Sequence, residues 1–129
     1  MLRGGILNPA INSLLSRVRH TNTLVIADRG FPFWPQIETI DISLTDDIPR
    51  VMDVLAAIQH NFTIGRVFAA QEFLAANSPH IARALEDALI GTPITFELHR
   101  EFKKRVPDAI GLIRTGDTIQ YSNLILESA

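Results

Sequence analysis

Thr23-Leu24-Val25-Ile26-Ala27 is a short run rich in β-branched residues with no charge on either face. A strand with one solvated face alternates polar and apolar residues, so a run without alternation reads as a strand buried on both sides. Arg66-Val67-Phe68-Ala69-Ala70 also reads as a buried strand, uncharged after its leading Arg66. Between and around these runs the apolar residues change period. Ile11, Leu14, Leu15 and Val18 recur at i, i+3, i+4 and i+7, and Val51, Val54, Leu55 and Ile58 form a second one-sided stripe. That spacing belongs to amphipathic helices. Strands covered on both faces and alternating with helices imply an α/β domain with a mainly parallel sheet flanked by helices.

Punctuation residues place the remaining elements. Asn8-Pro9 predicts a helix start, with Asn8 capping free amides and Pro9 at the first helical position. Ser78-Pro79 predicts another by the same logic, running to about Ile90 and ended by Gly91. Asp46, Asp47 and Pro49 are expected to open the helix that carries Val51 to Ile58, acidic residues in a first turn suiting the helix dipole. Further strands are expected over 38–44, 94–98, 109–113 and 123–126, with a short helix or turn over 100–105. At 129 residues, with no linker and no internal repeat, residues 1–129 form one domain.

Several function classes fall away. A formal net charge of −2 argues against nucleic-acid binding. The one basic run, Arg100 to Arg105, has no aromatic platform for bases beside it. No apolar run approaches the roughly 18 residues of a membrane span, and the first residues lack a signal peptide's apolar centre, so a cytoplasmic protein is expected. With no cysteine there is neither a disulfide nor a thiolate metal site. Histidines at 20, 60, 80 and 99 lack the close spacing of a local metal motif. Dinucleotide, Walker and nucleophile-elbow signatures are absent.

What remains is a polar set at strand ends and loops: His20, Asp28, His99, Tyr121 and Asn123. In open α/β sheets ligands bind beyond the carboxyl ends of strands, where Asp28 and His99 fall. Each residue also has a structural reading. His20 can cap the preceding helix, Asp28 can cap its loop, and His99 can open a solvated turn. Tyr121 can sit at the core edge, and Asn123 can satisfy backbone groups at a strand edge.

Several blocks in order carry a resemblance: Gly4-Gly5-Ile6-Leu7-Asn8-Pro9, His20 through Asp28, Ile40-Asp41 with Leu44-Thr45, Pro49 with Val54-Leu55, His99-Arg100-Glu101-Phe102-Lys103, Ile113 through Asp117, and Tyr121 through Ile125. Over essentially its whole length the sequence resembles the ribose pyranase and fucose mutarotase family, and is closer to the ribose branch. The resemblance implies interconversion of the cyclic forms of a free monosaccharide, D-ribose first and then fucose. It matches His20 to the family's catalytic histidine, and Asp28, His99, Tyr121 and Asn123 to its substrate-binding positions. It further implies ring-shaped homo-oligomers, pentamers stacked into decamers, with sites at subunit boundaries and neither metal nor cofactor. Imidazole titrates near neutrality and suits proton transfer in both directions of hemiacetal opening.

Three positions depart from the family pattern. Arg29 is expected either to pair with Asp28 or to select a charged sugar. Trp34, in the loop Phe31-Pro32-Phe33-Trp34-Pro35, is expected to stack on a sugar or to pack at a subunit contact. Gln71-Glu72 replaces two acidic residues. A non-catalytic sugar-binding or scaffold protein is the alternative function; it would not require His20. A lyase or epimerase on the same oligomer is the third, and would exchange a carbon-bound hydrogen with solvent.

Overall fold

The computed structural model describes residues 1–129. In chain order it comprises α1 (Pro9–Arg17), β1 (Thr23–Ala27), β2 (Glu38–Asp41), α2 (Val51–Gln59), β3 (Ile64–Ala70), α3 (Gln71–Ala76), α4 (Pro79–Ala88), β4 (Ile94–Glu97), α5 (His99–Arg105), β5 (Gly111–Arg114) and β6 (Leu124–Ser128). The six strands form one sheet in the order β2-β5-β1-β6-β3-β4. Pairings of β1 with β5, β2 with β5 and β3 with β4 are parallel, while β6 runs antiparallel to both β1 and β3. Five strands therefore share a direction and β6 alone opposes them. The expected α/β domain is present, with a mixed sheet. Only residues 115–123 join β5 to β6, fewer than the dozen or more that a parallel crossover takes.

The pleat sorts side chains into two cores. Leu24 and Ile26 of β1, Val67 and Ala69 of β3, and Leu124 and Leu126 of β6 face α1, α2 and α4. Val25 and Ala27, Phe68 and Ile125 face the opposite way, toward Phe31, Phe102 and Val106. The uninterrupted apolar runs follow from this, since each strand is covered twice.

Local signals held where the deciding atoms were close in sequence. Asn8 Oδ1 accepts the Ile11 amide at 3.0 Å, and Pro9 opens α1. Pro79 likewise opens α4, but the Ser78 side chain makes no capping bond. That helix stops at Ala88, and Gly91, at φ 85°, turns the chain toward β4.

The start of α2 is a correction. Asp46 and Asp47 do not open it; they lie in the turn closed by the Thr45–Ile48 bridge, with Asp47 at φ 64°. The helix begins at Val51, and Asp53 in its first turn accepts the Arg50 amide at 2.8 Å. Asp47 instead accepts the Thr118 amide and hydroxyl at 3.0 and 2.7 Å. Gly116 makes this docking possible, because a Cβ there would collide with the Thr45 carbonyl oxygen.

Candidate functional site

The carboxyl ends of the parallel strands and the start of β6 share one edge of the sheet. That common edge brings together residues nearly a hundred positions apart. Asp28 leaves the end of β1, and its amide donates to Asn123 Oδ1 at 2.7 Å, just before β6. Asp28 Oδ1 accepts the Gly30 amide at 3.0 Å, which turns the chain into the aromatic loop. The loop-capping reading of Asp28 and the strand-edge reading of Asn123 are thus both realised. With its oxygen so engaged, the Asn123 amide group offers its N–H donors to the Asp28 carboxylate and to a ligand. Burial pushes the Asp28 carboxyl above its ordinary range, against hydrogen bonds from Gly30, Phe31 and Asn123 that favour the charge.

His99 begins α5 directly after β4. Its backbone amide donates to both carboxylate oxygens of Glu72, each at 3.0 Å. Its ring stacks on Phe102 at 5.9 Å and meets Tyr121 edge-on at 5.1 Å. Nε2 is buried and has no hydrogen-bond partner within the chain. Burial, then the charge of Lys103, lowers the His99 pKa, while Glu72 and Asp28 oppose the shift. The imidazole is accordingly neutral at pH 7, with one nitrogen donating and the other accepting. Tyr121 has φ 57°, a left-handed backbone rare for an aromatic residue. Asn77 Nδ2 braces that turn by donating to the Gln120 carbonyl at 2.9 Å.

Asp28, His99, Tyr121 and Asn123 line a cavity of about 330 Å³, completed by Gln120 and the Gly30–Pro32 segment. Apolar ring surface beside convergent hydroxyl acceptors and donors suits a polyol with one C–H face, and the volume lies in the ~300–1,000 Å³ range of small-ligand clefts. A cavity of about 390 Å³ lies on the α2 and α4 side of the sheet. Its wall is largely aliphatic, and Asp117 there already accepts the Val51 and Ile119 amides at 2.9 and 2.8 Å. The smaller cavity is therefore the candidate sugar site.

His20 is not in it. The residue is exposed in the turn between α1 and β1. The next amide, Thr21, donates to the Ser128 carbonyl at the far end of β6. His20 thus sits at the opposite edge of the sheet from Asp28. The five residues of β1 lie between the two, a span of about 16 Å at ~3.3 Å per residue. One chain gathers four of the five expected residues and leaves the fifth across the sheet. His60 and His80 are exposed, and no group of three or more His, Asp or Glu side chains converges as metal ligands do.

The family departures resolve differently. Arg29 pairs with Asp46 at 2.7 Å, not with Asp28. Trp34 packs behind Phe31, ring centroids 6.2 Å apart, and the aromatic walls of the cavity are Phe31 and Tyr121. Glu72 fixes the His99 backbone. Phe31, Gln120 and Glu72 were not legible as site residues. Phe31 and Gln120 lie within three residues of expected positions, whereas Glu72 reaches His99 only because β3 and β4 are neighbours.

Residues 1–129 match the family model described as RbsD / FucU transport protein family. A D-ribose pyranase of Geobacillus thermodenitrificans is 35% identical over 128 residues, covering 99% of this chain and 96% of the relative. One from Geobacillus kaustophilus is 36% identical over 128 residues, covering 99% and 93%. Among solved structures, Bacillus subtilis RbsD complexed with D-ribose superposes with a TM-score of 0.93 at 35% identity, covering 100% of this chain and 98% of the other. A fucose mutarotase from Streptococcus pneumoniae, in complex with L-fucose, shares the fold with a TM-score of 0.80 at 20% identity, covering 95% and 93%.

Proposed function

The chain belongs to the RbsD / FucU family, and we propose that it is a sugar-ring isomerase interconverting the pyranose and furanose forms of free D-ribose. The observation that carries this reading is the hydroxyl-binding quartet Asp28, His99, Tyr121 and Asn123 around one cavity at the carboxyl edge, in a chain 35% identical to a D-ribose pyranase.

The chemistry needs only proton transfers. The anomeric hydroxyl loses its proton, the bond from C1 to the ring oxygen breaks, and the ring oxygen gains a proton, giving the open-chain aldehyde. Closure through a different hydroxyl reverses these steps and changes the ring size. Rotation about C1–C2 before closure exchanges the anomers. The aldehyde needs one group that takes and returns protons, plus fixed contacts that hold the remaining hydroxyls. Neutral His99 and the Asn123 amide can donate to hydroxyl oxygens, and the Asp28 carboxylate accepts a hydroxyl proton.

His20 is the proton-transfer residue in this reading, and it reaches the cavity from a second copy of the chain. His20 and the cavity occupy opposite edges of one protomer, and a head-to-tail contact between copies would join them. Where the rotation between copies closes, such contacts form a ring, the assembly this reading takes, pentamers stacked into decamers. Phe33 and Leu98, beside the cavity-lining Pro32 and His99, are 70% and 43% exposed, and such a contact would cover them. No helix is long and apolar enough to cross a membrane, and a cytoplasmic place accompanies the reading.

The test is NMR exchange between the cyclic forms of D-ribose at equilibrium, with wild type and His20→Ala. Faster exchange that disappears in the variant supports the reading. Acceleration kept by His20→Ala moves proton transfer to His99. Binding without acceleration, with ribose and a panel of other free sugars, replaces the enzyme by a sugar-binding protein.

A further inference from the structure

The loop that carries Asp28, Phe31 and Pro32 to the cavity is anchored by the buried Phe31 ring, but its backbone makes few hydrogen bonds of its own. Pro32 and Pro35 have no amide to donate, and much of the segment from Arg29 to Gln36 is exposed. Within the loop, Gly30 bonds to the Asp28 carboxylate at 3.0 Å, and Arg29 donates its amide to the Asp117 carbonyl at 3.1 Å. Three carbonyl oxygens of the segment instead face one side chain. Arg114, the last residue of β5 and in register with Ala27, donates from Nη1 to the Asp28 carbonyl at 3.0 Å and to the Arg29 carbonyl at 3.5 Å. Its Nη2 donates to the Pro32 carbonyl at 3.2 Å.

We propose that Arg114 is a positioning residue of the sugar site: its guanidinium staples both ends of the 28–32 loop and so fixes where Asp28 and Phe31 meet the sugar. Arg114 does not itself line the cavity. Its planar fork spans two carbonyls four residues apart in the chain, which a single ammonium group cannot do. Arg29, the loop's own cation, is held by Asp46, and its side chain donates nothing to these carbonyls. The inference rests on the sugar-site reading above, and it concerns binding geometry, not proton transfer.

The test uses Arg114→Ala, Arg114→Lys and Arg114→Gln in the full-length protein. D-Ribose affinity is measured by calorimetry, ring-exchange kinetics by NMR, and loop order by acrylamide quenching of Trp34. Trp34 is the only tryptophan in the chain and packs on Phe31, so its fluorescence follows the loop. The expected result is a rise of about tenfold or more in Kd and KM, with kcat within about threefold. Trp34 becomes more accessible to quencher, and Arg114→Lys is nearly as weak as Arg114→Ala. Millimolar guanidinium should tighten ribose binding to Arg114→Ala and leave wild type unchanged. Should Arg114→Ala fail to fold, the lysine and glutamine variants, which keep a long stem, carry the comparison. Normal affinity, weakened affinity with unchanged Trp34 quenching, or full restoration by lysine would each overturn the proposal. A wild-type protein that binds ribose without accelerating exchange would sink the isomerase reading alone, since affinity and quenching still decide the role of Arg114.

Discussion

Mixing two impaired variants should create active sites. His20→Ala removes the proposed proton-transfer group but keeps the cavity, and Asp28→Asn alters the cavity but keeps His20. The five residues of β1 separate these positions within a chain, about 16 Å at ~3.3 Å each, so no single protomer can place the imidazole on a sugar held by Asp28. In a randomly mixed one-to-one ring, a given contact takes an intact His20 from an Asp28→Asn protomer half the time. It takes an intact cavity from a His20→Ala protomer half the time. One site in four, or about 25% of wild-type activity, should then be complete. The parents should be well below that level, because positioned acid–base catalysis contributes ~10²–10⁴-fold. A hydrogen bond to a charged group is worth ~1.5–3 kcal/mol, or roughly 10- to 100-fold. The variants would be co-refolded or co-expressed and ribose exchange followed by NMR, with each parent refolded alone. Activity no higher than the mean of the parents would refute the shared site.

The Asp117 carboxylate, 1% exposed, satisfies two buried amides at 2.9 and 2.8 Å. Asp117→Ala should therefore cost about 2–5 kcal/mol and lower the melting temperature by roughly 10 °C or more; Asp117→Asn, which keeps one acceptor, should lose about half as much in a thermal scan. Because burial raises the folded-state pKa of Asp28, its protonated form is favoured by folding. The group contributes most below the unfolded value near 3.8, and that contribution is lost as pH rises through the folded value. Asp28→Asn should then melt no lower than wild type at pH 7 while binding ribose more weakly, and a clear drop in melting temperature would contradict the assignment. His99 has the opposite sign: its folded pKa is depressed below 6.5, so its contribution is present above 6.5 and is lost as pH falls through the folded value. NMR titration of the His99 ring should show a midpoint under 6.5, and a midpoint at or above it would contradict the burial argument.

Local interactions made part of this molecule legible residue by residue. Asn8 reaches an amide three positions on, so its cap needs no knowledge of the fold. Thr23–Ala27 has to be a strand covered on both faces because from Leu24 on it offers neither face a polar side chain, and the two cores on either side of β1 bear this out. The α3 helix is not legible in the sequence because six residues over Gln71–Ala76 give too little periodicity. The start of α2 is not legible either, because Asp46 and Asp47 have first-turn composition, whereas Asp47 serves Thr118, 71 residues away.

The same division holds for the site. Sequence by itself determined which residue types are available: a histidine before β1, an aspartate after it, a histidine after β4, and a tyrosine and asparagine before β6. Only the tertiary structure decided which of them meet. The direction of β6 puts Asn123 on the Asp28 amide, and the pairing of β3 with β4 sets Glu72 under His99. The length of β1 keeps His20 away from all of them. A side chain's chemistry is written in its own residue, but its neighbours are set by strand order and direction, which depend on burying apolar surface over the whole chain at once.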